Sequence, residues 1–423
     1  MRIEIKNKKE FIQMFNNLYN NINIEKINGL SIDSRQIQRN DIYFPIVGSH
    51  YNGHDFIQSS FKSGAIISFS EKSSNNKKII KTKSVKNEIY KLCKKWNQLS
   101  KSKVIGITGS NGKTTTKNLI YNILKENYKC SKTQGNYNST LGLPLTYLSS
   151  SLNDDFCILE YGASEPNEIE ILCKIIKPYY SFITNISNAH IKNYKSYDEI
   201  YETKIALYEY THHNGIAFIN SDNVSIDNNK IKSKIKKFSI KNKSINKGIR
   251  IPPHLLHLND IINSICIILQ KLKITNELIN DGLKTFSIPD GRGNLVIYKN
   301  YTIIDDSYNA NPKSVEFAIK RLNETKNQGK KIIVFGDMLE LGDIEINEHE
   351  KISESINQSS IDIILTYGDL TQHTNKNINK SKYSRHYTNL KKLKIDLNNL
   401  ICSNDLVYLK GSRSMQLEQI YKI

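Results

Sequence analysis

Paired cysteines are what this sequence most plainly lacks. It has six, Cys93, Cys130, Cys157, Cys173, Cys266 and Cys402, with no C-x-x-C and no His/Cys spacing of the kind that holds zinc. That argues against a disulfide scaffold and against structural zinc, and leaves buried, reduced thiols as the expectation. A run of the roughly 18 apolar residues needed to span a bilayer is also missing. The opening MRIEIKNKKEFIQMF carries no apolar core of a secretory signal, so a cytoplasmic chain without membrane insertion is expected. Internal repeats, heptads and a disordered tail are absent as well. Acidic residues are in short supply: 41 Asp and Glu face 60 Lys and Arg, a formal charge of +19. Such a surplus can mark a nucleic-acid binder, but here the lysines are dispersed through a chain rich in Asn and Ile. The densest stretch, NNKIKSKIKKFSIKNKSINKGIR at 228 to 250, has little aromatic interleaving. It reads as a solvated face, with no nucleic-acid partner, whose charge would help steer an anionic substrate.

What is there begins with strands. At 423 residues the chain is too long for one core, and two to four domains are expected. Short apolar or β-branched runs occur as VIGIT, FCILEYG, YSFITNIS and GIAFINSD between 104 and 222, then as YTIIDDSY, KKIIVFGD, IDIILTYG and DLVYLKG. Nearly continuous apolar strands alternating with helical segments indicate parallel sheets covered on both faces, and two α/β domains in series fit best. Ligands in such sheets bind beyond the carboxyl ends of the strands, where these runs place Thr, Glu, Asn, Asp and Lys.

GITGSNGKTTTKNLI, 106 to 120, is a strand, a turn and a helix in the order a phosphate loop requires. Leu119, Ile120, Ile123 and Leu124 recur on one helical face. The backbone from Gly109 through Ser110, Asn111 and Gly112 to Lys113, Thr114 and Thr115 can cradle phosphates. Lys113 can reach β- and γ-oxygens, and Thr114 can hold Mg²⁺. The strict template wants Gly at 107, where Ile stands; Gly109 instead opens a tighter TGSNGKTT loop.

That loop resembles the Mur ligase family and its relatives the folylpolyglutamate synthases. TQGNYNSTLGLPLTYL, LEYGASEPNEI, ITNISNAHIKNYKSYDEIYETK, GRGNLVIY, IIDDSYNANPKSV, VFGDMLELG and LKGSRSMQLE follow in that family's order from 133 to 418. DDSYNANP, GDMLELG and KGSRSM are similar to the branch that adds D-alanyl-D-alanine to UDP-N-acetylmuramoyl-tripeptide. The D-N-P-R motif of the neighbouring ligase is absent. A weaker match, SIDSRQIQRNDIYFPIVGSHYNGHDFI, extends the resemblance over nearly the whole chain.

The resemblance implies an α/β protein of three domains: a small UDP-binding α/β domain at 1–99, a central P-loop ATPase-like parallel-sheet domain at 100–293, and a Rossmann-like domain at 294–423. It implies ATP, two Mg²⁺ ions, an acyl phosphate intermediate, and a monomer whose partners are the tripeptide nucleotide and the dipeptide. Glu160, ending FCILE on the same edge as Thr114, would be a Mg²⁺ ligand, with His190 serving the second metal and Asn136 lying near the γ-phosphate. Lys204 matches a family lysine that is carbamylated and ligates the second Mg²⁺; a helix lysine read by itself would be solvated. Arg292 and Asp306, with Asn309, would bring the C-terminal domain onto ATP, although SYNANP also suits a plain turn. Lys410 and Arg413 would dock the dipeptide carboxylate or the acyl phosphate. Ser34 and Arg35 would meet the UDP-sugar, an Asp-Ser turn cap being the alternative. Departures are Asn167 where the family has Gly, and PPHLLHLNDIIN in place of G-x-H-N-x-x-N. His257, Asn259 and Asn263 therefore stay open as adenine contacts.

Overall fold

The computed structural model describes residues 1–188, 190–223, 226–241 and 248–422. Three sheets succeed one another along the chain. The first is built of β1 (Arg2–Glu4), β2 (Gly29–Ser31), β3 (Asp41–Tyr43), β4 (Ala65–Ser70) and β5 (Ile79–Lys81), in that order, with only β1 antiparallel. The second comprises β6 (Lys103–Thr108), β7 (Cys130–Lys132), β8 (Phe156–Glu160), β9 (Tyr180–Ile183), β10 (Ile216–Asn220) and β11 (Lys234–Phe238). It is wholly parallel, in the order β11-β10-β9-β6-β8-β7. The third comprises β12 (Asn294–Tyr298), β13 (Tyr301–Asp306), β14 (Lys331–Gly336), β15 (Ile363–Tyr367), β16 (Tyr383–Tyr387) and β17 (Leu406–Lys410). Its order is β12-β13-β17-β14-β15-β16, with β12 as the antiparallel edge.

The central sheet explains where a site must form. β6 lies between β9 and β8, so the strand order reverses there, and a crevice opens beyond the carboxyl ends. Ile107 pairs with Glu160 and Thr108 with Ile183, which puts the ends of three strands side by side. The helix Lys113–Leu124 leaves β6 through a left-handed Gly112 and buries Leu119, Ile120, Ile123 and Leu124. One face of this sheet packs on the helices Asn259–Lys271 and Asn276–Lys284. The other shares an apolar core with the first sheet, running from Phe11, Phe15 and Trp96 to Tyr161, Leu207 and Tyr208. Both faces of the third sheet are covered in the same way.

Three expectations need correction. YSFITNIS is strand only to Ile183; residues 184–187 leave the sheet to brace the phosphate loop. The basic stretch is not simply a solvated face, because Lys234–Phe238 forms the edge strand β11 with Phe238 buried. Its lysines suit an edge, where charge discourages pairing with another chain; residues 242–247 of the stretch lie outside those described. The six cysteines are free, but Cys402 is exposed and Cys130 half-buried, because Cys130 opens the short edge strand β7 and Cys402 lies in the turn between the helix Leu390–Leu400 and β17. Among the described residues no helix is long and apolar enough to cross a membrane.

Candidate active site

The loop between β6 and its helix is held by its own geometry and by the segment after β9. Gly109 has φ 144°, and a Cβ there would lie 2.0 Å from Thr184 Oγ1, so glycine is required. Ser110 N–H donates to the Asn185 carbonyl (2.9 Å), Asn111 N–H to Asn185 Oδ1 (3.1 Å), and Thr184 Oγ1 to the Asn111 carbonyl (2.6 Å). Ser110 Oγ donates to the Ser187 carbonyl (3.0 Å) and accepts the Ser187 N–H (2.8 Å). A loop clamped along its length keeps its N–H groups and helix N-terminus aimed at one place, as phosphate binding requires. Lys113 Nζ donates to the carbonyls of Gly109 (2.7 Å) and Ser110 (3.1 Å). Burial and Arg292 depress its pKa, against the opposing pull of Glu160 and Glu340.

Glu160 is buried where β8 ends, accepting from Thr114 Oγ1 (2.9 and 3.1 Å) and Asn138 Nδ2 (2.8 Å). Lys117, one turn beyond Lys113, stands 3.3 Å from the carboxylate and is 1% exposed. Burial opposes ionisation of Glu160, but Lys117, Lys113, Asn138 and Arg292 outweigh it, and the carboxyl titrates below its ordinary range. Hydroxyl plus carboxylate is a hard oxygen pair suited to Mg²⁺, an ion that takes one or two protein carboxylates and completes its shell with phosphate oxygens and water. The donor count agrees: among the described residues no three His, Cys, Asp or Glu side chains cluster tightly enough to hold a metal alone.

Lys204 departs most from the plain reading of a helix lysine. On the helix Tyr197–Glu209 it is 2% exposed. Burial, helped by the charge of Lys113, pushes its pKa down to about 7. The period accounts for this: Ile200, Leu207 and Tyr208, at i−4, i+3 and i+4, are buried on the same face.

The C-terminal sheet closes over this centre. Gly291 (φ 71°) and Gly293 (φ 88°) turn the chain so that Arg292 lies 3.8 Å from the Tyr308 ring centroid, over its face. Lys410, 4% exposed, pairs with Asp306 at 2.9 Å and donates to the Asn309 carbonyl at 2.8 Å. Its charge is thus engaged within its own domain. Arg413, 62% exposed, is tied to Glu418. Across the seam, Asn111 and Asn311 exchange amide hydrogen bonds of 3.3 and 2.7 Å. Glu340 pairs with His190 at 2.9 Å. Burial works against the Glu340 charge, yet His190, Asn309 and Lys113 lower its pKa overall.

The cavity between the walls is about 960 Å³, large enough for a nucleotide and part of a second substrate. Ser110 to Thr115, Asn136, Glu160, His190, Arg292, Asp306, Asn309, Lys410 and Arg413 line it. Gly109, Lys204, Asn263, Ser34 and Arg35 do not. Gly109 is the turn out of β6, and Lys204 is buried within reach of the Lys113 charge. His257, Asp260, Ile261 and Ser264 line the cavity, while Asn259 and Asn263 fall on the flank of that helical face. Among the described residues His257 Nε2 is buried with no hydrogen-bond partner, and burial and Arg321 push its pKa down to about 3. It therefore offers a neutral ring to a ligand. In the first domain Asp33 caps the turn at Ser34–Gln36, accepting from Arg35 N–H, and its carboxylate also pairs with the Arg35 side chain (2.9 Å).

Lys117, Asn138, Asn185, Asp260 and Glu340 went unread in the sequence. Lys117 carried the signal of its i+4 spacing from Lys113 on a helix, and Asn138, Asn185 and Glu340 lay within TQGNYNST, ITNISNAH and GDMLELG without being singled out.

The chain matches the Mur ligase middle domain over residues 107–263, the Mur ligase glutamate ligase domain over 291–413, and the Mur ligase family catalytic domain over 26–102. It is 30% identical to the UDP-N-acetylmuramoyl-tripeptide--D-alanyl-D-alanine ligase of Bacillus subtilis, over 94% of this chain and 93% of that one. Among solved structures it is similar to MurF from Acinetobacter baumannii, with TM-score 0.87, 22% identity and 97% of each chain covered. It is also similar to the MurF ligase of Thermotoga maritima in complex with ADP, with TM-score 0.80, 26% identity, and 92% and 95% covered.

Proposed function

Because the chain belongs to the Mur ligase family, we infer that it is an ATP-dependent carbon–nitrogen ligase. It joins D-alanyl-D-alanine to UDP-N-acetylmuramoyl-tripeptide in peptidoglycan precursor synthesis. The observation that carries this reading is the single cavity in which the phosphate loop and Glu160 face Arg292, Asp306 and Lys410.

A carboxylate and an amine do not condense in water. Transfer of the γ-phosphoryl group to the tripeptide carboxylate gives an acyl phosphate, and the dipeptide amine then displaces phosphate. Both steps bring anions together, so positioning and charge neutralisation do most of the work. Lys113 would hold the β- and γ-oxygens, the loop N–H groups the remaining phosphate oxygens, and Arg292 the transferring group. Thr114 and Glu160 would hold one Mg²⁺ and His190 would help hold a second; bound there, these ions would neutralise charge between carboxylate and phosphate. In this reading residues 1–99 take the UDP-sugar end through Ser34 and Arg35, 100–293 the nucleotide, and 294–423 the dipeptide, with Arg413 meeting its carboxylate. Phosphate release should require UDP-muramoyl-tripeptide and D-alanyl-D-alanine together. Equal release with folate and glutamate, or none with the peptide substrates, would refute the assignment.

The finer proposal is that Lys204 is carbamylated and ligates the second Mg²⁺. Its burial and its pKa of about 7 support this, since carbamate formation needs a neutral amine. Lys204→Arg and Lys204→Ala should then be comparably inactive, by about 10²-fold or more. Labelled CO₂ should give a carbamate carbon signal in the unmodified sequence alone. An active Lys204→Arg protein without that signal would make Lys204 an ordinary buried cation.

A further inference from the structure

The loop that follows β14 is fastened to the C-terminal domain at three points. Met338 N–H donates to His349 Nε2 (3.0 Å), Leu339 N–H to Ser412 Oγ (2.8 Å), and Ser412 N–H to the Asp337 carbonyl (3.0 Å). Met338 and Leu341 are buried on either side of Glu340, which is thrown outward with φ 133°, a backbone region that side chains rarely adopt. Its carboxylate crosses the domain seam to His190 Nδ1 at 2.9 Å, and its carbonyl accepts the Lys192 N–H at 3.3 Å. Gly342, φ 59°, lets the two backbones approach: a Cβ there would stand 3.3 Å from Lys192 Cα. His190 is itself left-handed, with φ 61°. Unfavourable backbone at both ends of one contact is retained where the surroundings over-determine it, which is common at functional sites.

Besides Glu340 and Asp260, three carboxylates line the cavity, and each has partners within its own domain. Glu160 is held by Thr114, Asn138 and Lys117, Asp306 by Lys410 and Tyr408, and Glu168 by the N–H groups of Ser164 and Glu165. Among the described cavity carboxylates, Glu340 is the one whose ion pair joins the two domains. A histidine that binds metal through one ring nitrogen commonly donates the other N–H to a carboxylate, which fixes its tautomer and orientation.

We propose that Glu340 is a positioning residue that accepts the Nδ1–H of His190 and leaves Nε2 for the second metal ion, so that this metal site is complete only when the C-terminal domain is seated. The proposal rests on the ligase reading above, in which His190 serves that metal. It makes domain closure and metal geometry one event, because the loop cannot reach His190 unless the whole C-terminal sheet has docked.

The test is a Mn²⁺ titration followed by electron paramagnetic resonance, with a non-hydrolysable ATP analogue and no dipeptide. The unmodified protein should take up two Mn²⁺. Glu340→Ala should weaken the second by about 10–100-fold and leave the first unchanged. Glu340→Gln, whose amide oxygen still accepts the Nδ1–H, should lose markedly less. A second Mn²⁺ bound within two-fold of normal by Glu340→Ala, or uptake of a single Mn²⁺ by the unmodified protein, would overturn the proposal. So would equal weakening of both ions with a matching drop in thermal midpoint, which is the mark of a merely structural contact. Tripeptide- and dipeptide-dependent phosphate release by the unmodified protein, run in parallel, tests the ligase reading separately.

Discussion

One wall of the cleft is a continuous stretch, Ser110 to Thr115, whereas the facing wall is gathered from loops around 292, 306–309, 339–340 and 410–413. The first is held by several hydrogen bonds to residues 184–187 after β9, one backbone to backbone and the rest through the Ser110, Thr184 and Asn185 side chains. The second is held by side chains: Lys410 on Asp306, Tyr308 under Arg292, His349 under Met338. A wall tied at several neighbouring points tolerates the loss of one tie, except at the group that touches phosphate. A wall gathered from separate loops, each on its own prop, fails through any of those props.

The largest effect should come from the first wall. Lys113→Ala removes the cation at the β- and γ-phosphates and should lower ATP turnover by about 10³-fold. Thermal stability should stay near normal, because the loop's hydrogen bonds to 184–187 do not pass through this side chain. Turnover within a few-fold of normal would end the phosphate-loop reading. The second wall should show the opposite pattern. Asp306→Asn strands the Lys410 ammonium at 4% exposure and should destabilise the C-terminal domain by about 3 kcal/mol. Urea unfolding would measure that loss, and equilibrium binding of ADP should change far less. A fall in ADP binding as large as that caused by Lys113→Ala would show that the two walls are not separable.

The smallest effect concerns the prop beneath Glu340. His349 donates from Nδ1 to the Glu345 carbonyl (2.6 Å) and accepts the Met338 N–H at Nε2 (3.0 Å), an arrangement open only to a neutral ring. Burial sets its pKa below the usual histidine value. The unfolded chain therefore binds a proton near pH 6.5 that the folded chain refuses, and stability falls as pH drops below about 6.5, by at most about 1.4 kcal/mol per pH unit. His349→Gln should lower stability at pH 7.5 but flatten this acid slope. His257 is depressed further, to about 3, and keeps part of the slope in the variant. Thermal midpoints between pH 5 and 7.5 would show both features; an unchanged slope would mean that His349 is not the group being titrated.

Much of this was legible because it is local. The apolar runs became β6, β8, β9, β10, β13, β14, β15 and β17, since a strand buried on both faces must be apolar along its length. The phosphate loop could be read because strand, glycine turn, Lys-Thr and helix follow in one stretch of chain. The short or polar strands β7, β11 and β16 were not legible: their residues gain pairing from a neighbour already in the sheet, and no period announces it. Residues 184–187 read as strand because their composition is that of β9, yet their hydrogen bonds go to the phosphate loop.

The sequence by itself determined the α/β class, the phosphate loop with Lys113 and Thr114, and the family motifs that give the chain its substrates, since each depends on neighbours within a few residues. The tertiary structure alone decided that Lys204 is buried rather than solvated, that Lys117 shares Glu160, that Lys410 is engaged by Asp306, and that Glu340 meets His190 from another domain. In each case a charge changes its role with its surroundings. Desolvation and partner distance, which set pKa and pairing, are properties of the packed chain and carry no period or motif along it.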